Sequence, residues 1–404
     1  MVGISSKRMT SRERMLAALD FKEPDYIPCS FMIFTALKER CADEFEFVEK
    51  ELELGLDAHL SLGDLPIRFA PEVSIREWKE HPPGKERPIL HKEYATPAGK
   101  LTAITRQTQD WPYHDHIPLF DDYLAPRSLK FLITGPQDLP ALRSLLAAPE
   151  DEDIRDFREA ALGAKRFARD KGLLLAGGWS SGPRPDETSI IGSDPGTMGI
   201  DALMWLSGPV NPLYWAYDQP DFLEELIDII ALWNRRRMEV ILDVGVDLLI
   251  KRAWYEGCDF WSPALYRKFI APVLKEDIKL THQAGARFGY IITSGIMPLL
   301  EDFLELGIDV IIGIDPVQGK GTDLRLLQET LGGKICLWGG VNGFITIERG
   351  RPEEIKKAVK EAIEALASGG GFILSPVDNV RDTSDGTWQN VLTFIDAWKE
   401  FRKP

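Results

Sequence analysis

Apolar residues in this chain gather into short continuous runs, set apart by longer stretches in which they recur every three or four positions. The runs are Tyr26–Phe34, Ala58–Gly63, Leu173–Trp179, Val246–Ala253, Arg287–Thr293, Asp309–Ile314, Ile335–Gly339 and Gly371–Ser375, eight in all. A run without polar alternation reads as a strand buried on both faces, and strands of that kind separated by helices form a parallel sheet. Eight such units predict a (β/α)8 barrel.

The intervening helices carry their own signals. Pro352 to Ala367 sets Ile355, Ala358, Val359, Ile363 and Leu366 on one face and ends at Gly369-Gly370-Gly371, an amphipathic helix with a glycine stop. Ser262-Pro263 supplies an N-cap serine with proline in the first turn. Near the start, Thr10 and Glu13 have capping-box spacing ahead of Met15, Leu16 and Leu19. Residues 65–172 are too long for one connection. They hold a predicted hairpin (Pro88–Tyr94 with Gly99–Gln107), the polar-aromatic loop Trp111-Pro112-Tyr113-His114-Asp115-His116 and a charged helix from Glu152 to Lys171. The expectation is one barrel over 1–404 with 65–172 inserted after strand two and lying over the mouth, as a lid or a homodimer arm.

Composition narrows the function classes. The 404 residues carry a formal net charge of −15, with 44% apolar and 27% charged residues. That balance is globular, and it speaks against nucleic acid or an anionic membrane as partner. Four cysteines without CxxC spacing form neither a disulfide framework nor a zinc knuckle. The N-terminus lacks the apolar core of a secretory signal, so a cytoplasmic protein with reduced thiols is expected.

Barrels do their chemistry at the C-terminal ends of their strands. Those ends present Asp64; Trp179; Arg252, Trp254, Tyr255 and Glu256; Ser294; Asp315; Trp338 and Asn342; and Asp378. The carboxylates and amides are candidate acids, bases or ligands, and the aromatics can wall a planar or apolar ligand. Glu256 stands out because it follows Arg252, Trp254 and Tyr255 directly after an apolar strand. His114 and His116 share one side of an extended segment, as two metal ligands would, whereas His59 reads as a core residue. Gly313 to Lys320 is a turn after strand six rather than a P-loop, since five residues separate its glycines and Gly321 follows the lysine.

At these residues the chain resembles the uroporphyrinogen decarboxylase superfamily. Ser11-Arg-Glu-Arg-Met-Leu-Ala-Ala-Leu with Glu23-Pro-Asp-Tyr-Ile-Pro28 is similar to its N-terminal signature. Ser262 to Pro272, Gly295 with Pro298-Leu-Leu, Gly307-Ile-Asp309, Trp338-Gly-Gly-Val-Asn342 and Gly371-Phe-Ile-Leu-Ser375 resemble its later elements in order. The resemblance implies a (β/α)8 barrel and one of two activities: decarboxylation of tetrapyrrole acetate groups, or methyl transfer linked to a corrinoid protein, with zinc in some members.

The chain departs from both patterns. The arginine-rich clamp after strand one is reduced to Lys38 and Arg40, and Asp378 stands where the decarboxylases keep a histidine. The zinc ligands after strands five and eight are replaced by Ile292-Thr293-Ser294-Gly295 and Ser375-Pro376-Val377-Asp378. The favoured expectation is transfer of a methyl group from a small methoxylated or methylated compound to a corrinoid protein. Glu256, Tyr255 or Asp378 would act as acid. Arg252, Trp254, Trp179, Trp338, Asn342, Ser294, Lys38 and Arg40 would contact substrate. The alternative is a decarboxylase of a tetrapyrrole or other carboxylate, using Asp64 with Lys38 or Arg40, and a non-catalytic barrel binding corrinoid or tetrapyrrole is a third reading. Any metal would need a replacement set drawn from His114, His116, Glu256 and Asp378.

Overall fold

The computed structural model describes residues 8–62, 65–67, 69–84, 86–179 and 199–403. Its strands are β1 (His59–Leu62), β2 (Ser74–Glu80), β3 (Ile89–Thr96), β4 (Gly99–Arg106), β5 (Ser128–Lys130), β6 (Leu174–Gly177), β7 (Leu248–Arg252), β8 (Arg287–Ile291), β9 (Val310–Ile314), β10 (Cys336–Asn342) and β11 (Phe372–Val377). Seven of them form one curled parallel sheet in the order β1-β6-β7-β8-β9-β10-β11. Each expected strand after the first is present, with β10 running to Asn342 rather than stopping at Gly339.

The first run, Tyr26–Phe34, is not a full strand but lies between the two edges of that sheet. Leu374 N–H donates to Pro28 O at 2.9 Å, Ser30 N–H to Leu374 O at 3.0 Å, and on the other side Asp57 N–H to Cys29 O at 2.8 Å. Isolated parallel bridges join Cys29 to Leu374 and Ile33 to Asn379. The stretch is pinned by buried charge as well. Arg14 reaches the Asp57 carboxylate, whose other oxygen accepts Cys29 N–H at 3.2 Å.

Side chains alternate across the sheet. Leu174, Leu248, Ile250, Ile291, Ile312, Trp338 and Ile373 pack together on the inner face. Leu175, Leu249, Tyr290, Ile311, Leu337 and Leu374 face the surrounding helices. The helix Ser11–Leu19 adds Met15, Ala18 and Leu19 to the inner cluster, and its capping box between Thr10 and Glu13 is formed.

Between β1 and β6 stands a second sheet, antiparallel, in the order β2-β3-β4-β5. The expected hairpin is β3–β4, with Thr96 opposite Gly99. Two further strands flank it, and the sequence pattern does not announce them. β2 reads Ser-Ile-Arg-Glu-Trp-Lys-Glu and is exposed along nearly its whole length, so it has no apolar run to detect. The charged helix follows at Asp151–Lys171. No helix among the described residues is long and apolar enough to cross a membrane.

Candidate functional site

At the C-terminal end of the parallel sheet, the last residue of β7 is Arg252. Alternation points it inward, away from its neighbour Lys251, and it is 5% exposed. Its Nη1 donates to Asp201 Oδ2 at 2.8 Å and its Nη2 to Asp122 Oδ2 at 2.5 Å. The guanidinium lies over Trp254 at 4.2 Å and over Trp205 at 4.5 Å from the ring centres, a cation between two indoles. Asp201 opens the helix Asp201–Ser207 and also accepts Trp254 N–H at 3.2 Å and Tyr255 N–H at 2.9 Å. Burial pushes its carboxyl up and Arg252 opposes that rise. The Tyr255 phenol donates to Asp122 Oδ1 at 2.7 Å. Burial and Asp122 together hold that phenol well above the ordinary tyrosine range.

Glu256 faces the other way. It has no exposed surface. One oxygen accepts Ile200 N–H at 2.7 Å and the other accepts the Tyr290 hydroxyl. Tyr290 belongs to the outer face of β8, where it meets Phe303 edge-on. Lys251, on the same outer side of β7, pairs with Asp277 of the helix Ala271–Gln283. A β-carbon on Gly199 would stand 1.8 Å from Glu256 Oε1 and 2.9 Å from Lys251 Cε, so any larger residue would have to push the carboxylate aside. Burial outweighs the nearby Lys251 charge and raises the Glu256 carboxyl to about 7. The group is an internal anchor between the sheet and the Ile200 turn.

The aromatic candidates divide in two. Trp179 and Trp254 meet edge to face at 6.0 Å at the upper end of the inner cluster, beside Met32 and Ile33. Trp338 lies deeper, 1% exposed, donating its indole N–H to Ser30 O at 2.9 Å and meeting the His59 ring at 5.5 Å. His59 itself is a core residue, bonded to Ser30 Oγ at 3.2 Å through Nδ1. Burial lowers it to about 4.

Asp378 follows β11 in a left-handed conformation, φ 64°, which a residue with a β-carbon adopts only where the surroundings hold it. Its carboxylate is 42% exposed and pairs with Arg381 at 3.0 Å. Burial raises its carboxyl, Arg381 opposes, and the charges of Asp315 and Asp122 add to the rise. Asp315 is taken up by Val317 N–H, Gln318 N–H and Asn342 Nδ2. Asn342 is fully buried and its Oδ1 caps the next helical turn by accepting Ile345 N–H at 2.6 Å. Ser294 donates to Asp259, which also holds Lys320 at 3.1 Å. Gly295, φ 67°, would place a β-carbon 2.6 Å from Cys258 N, so glycine is needed where this turn meets the one after β7.

The remaining candidates are peripheral. Lys38 ends the short helix Thr35–Lys38 within electrostatic reach of Glu44. Arg40 stacks on Trp388 at 4.3 Å and donates to Thr383 O at 3.2 Å. His116 pairs with Glu77 at 3.0 Å, and His114 takes a left-handed turn, φ 51°. Asp64 lies outside the described residues. Among the described residues no three or more His, Cys, Asp or Glu side chains gather where one metal ion could be held, so His114, His116, Glu256 and Asp378 do not meet as a set. The donors among the described residues assemble no zinc centre.

Asp122, Asp201, Trp205 and Tyr290 are the partners that sequence reasoning missed. Asp201 had a weak signal, an acid opening an apolar helix. Asp122 and Tyr290 had none, because their roles depend on contacts 133 and 34 residues away.

Residues 186–401 match the family model described as Uroporphyrinogen decarboxylase (URO-D). The chain belongs to the uroporphyrinogen decarboxylase family. Among solved structures, this URO-D chain is similar to a methyltransferase from Methanosarcina mazei, at 18% identity and a TM-score of 0.56, over 97% of this chain and 99% of that one. It is also similar to a B12-independent methionine synthase from Shewanella sp. W3-18-1, at 12% identity and a TM-score of 0.39, over 60% and 65% of the two chains. No curated protein matches the chain. The first of these likenesses supports a shared fold along nearly the whole length.

Proposed function

We propose that this URO-D chain is a methyltransferase that moves a methyl group from a small methoxylated or methylated compound to a corrinoid protein. The observation that carries the reading is the charge balance around Arg252. The guanidinium is matched by both Asp201 and Asp122, and Asp378 feels the charges of Asp122 and Asp315. A substrate with many carboxylates would meet uncompensated negative charge here. The edge-to-face Trp179–Trp254 pair instead offers an apolar wall to a small, weakly charged molecule. The name of the structural neighbour, a methyltransferase, agrees with this choice.

In this reading the fold is a closed (β/α)8 barrel. Its first strand is the Pro28–Ile33 stretch, and residues 65–172 lie over the mouth, where Asp122 reaches Arg252. A reduced corrinoid on its own carrier protein would supply the nucleophile. The chain's own residues position the substrate against Trp179 and Trp254 and return a proton to the leaving oxygen. Asp378 is the group placed for that transfer. It is half-buried, at a strand end, and its carboxyl is raised. Glu256, which faces the helices, and Tyr255, whose hydroxyl donates its hydrogen bond to Asp122, serve as supports.

The test is incubation of the purified protein with a reduced corrinoid protein and a panel of methoxyarenes and methylated amines and thiols, following the corrinoid spectrum. Methyl transfer from one member supports the reading. Absence of transfer together with turnover of uroporphyrinogen would replace it with the decarboxylase.

A further inference from the structure

Three donors converge on one carboxylate at the mouth, and that carboxylate belongs to the chain itself. Asp122 accepts from Arg252 Nη2 at 2.5 Å, from the Tyr255 hydroxyl at 2.7 Å and from Trp205 Nε1 at 3.0 Å. We propose that Arg252, Tyr255 and Trp205 form a binding site for a small carboxylate, which Asp122 fills in cis and which a ligand carboxylate enters by displacing it.

The donors are built independently of their occupant. Arg252 closes β7, Tyr255 follows it, and Trp205 sits on the helix Asp201–Ser207, whereas Asp122 comes from the connection between β4 and β5. Arg252 is held by Asp201, which is fully buried, and by the indole faces of Trp205 and Trp254. The Tyr255 backbone is held by Asp201 and Trp261. Arg252 and Trp205 are 5% and 3% exposed. A charged fork, a phenol and an indole fixed in this way are preorganised for one carboxylate.

The occupant is of a different kind. The Asp122 side chain is 53% exposed while its partner Arg252 is 6% exposed. A half-exposed ion pair is worth little, because water screens it and solvates the released carboxylate. Asp201, by contrast, cannot leave without stranding a buried charge. The ligand class is therefore a monocarboxylate with an apolar body that reaches toward Trp254. The inference concerns binding alone and stands apart from the methyl-transfer reading.

Titration calorimetry with sodium benzoate on the full chain tests it, with benzamide as the neutral control. Asp122→Ala is expected to bind benzoate at least about tenfold more tightly than the wild type, and the gain is expected to vanish in Asp122→Ala combined with Arg252→Lys. Benzamide is expected to show no gain. Near-ultraviolet dichroism reports whether the variants are folded. Should Asp122→Ala fail to fold, Asp122→Asn is measured in its place, with the same sign expected. A folded variant that binds benzoate no better than wild type, or gains equally for benzamide, overturns the proposal and leaves Asp122 as a structural clasp.

Discussion

Glu256 accepts the amide of Ile200 at 2.7 Å, and the next residue along, Asp201, holds Arg252. A carboxylate on the outer side of the sheet thereby fixes a turn whose next side chain faces the mouth. The link runs through two hydrogen bonds and one peptide unit, with Gly199 N–H closing it on Arg252 O at 3.2 Å.

Ionising Glu256 in the folded state is costly, and the sign of the resulting pH dependence is determined. Its folded value of about 7 lies above the ordinary 4.5, so the native state holds the proton where the unfolded chain has lost it. Stability from this group is present below about 4.5 and falls as pH rises to 7, by roughly 3 kcal/mol. Glu256→Gln is expected to flatten that fall in urea unfolding at pH 5 and 7. Equal slopes in wild type and variant would count against the assignment.

His59 acts in the opposite sense. Burial lowers it from 6.5 to about 4, so below pH 6.5 the unfolded chain takes up the proton first. The stability of the neutral ring is complete above 6.5 and lost as pH falls toward 4, again by roughly 3 kcal/mol. His59→Gln is expected to be less sensitive to acid than wild type, read as the melting temperature at pH 4.5 and 7.

Gly199→Ala tests the seal over Glu256. The added methyl meets Glu256 Oε1 at 1.8 Å, and displacing the carboxylate also loosens Ile200. The expected loss is about 1–3 kcal/mol, with a change in tryptophan fluorescence as Trp205 and Trp254 lose their register on Arg252. An unchanged spectrum and melting point would show that the turn gives way freely.

Asn342→Ala removes a helix cap and leaves Asp315 short of one donor inside the protein. About 1–3 kcal/mol of destabilisation is expected. Asn342→Asp would place two carboxylates face to face and is expected to be worse at pH 7 than at pH 4. Comparison of the two melts at both pH values checks the pairing.

Asp378→Asn addresses the proposed proton donor. The fold is expected to hold, since the side chain is 42% exposed. Methyl transfer from an ether is expected to fall by about 10²–10⁴ in kcat, with little change in KM. A methylated cation, which leaves as a neutral group, is expected to be much less affected. Equal losses for both substrates would remove Asp378 from the acid role.

The order of elements was legible in the sequence because buried parallel strands are continuous apolar runs, which no other arrangement of this chain hides. Thus β1, β6 to β11 and the helices Ser11–Leu19 and Pro352–Leu366 follow from pattern, as do the caps at Thr10 and Ser262. The exposed strand β2 was not legible, since a strand with no buried face leaves no apolar signature. The sequence also placed Arg252, Trp254 and Tyr255 at a strand end. Which way they and Glu256 face was decided only in three dimensions. Past Arg252 the strand's alternation stops, and space beside Gly199 and Tyr290 draws Glu256 outward. Asp122 shows the limit most clearly. Its carboxylate meets Arg252 across 130 residues, and a contact of that span depends on how two sheets sit together, which local spacing does not encode.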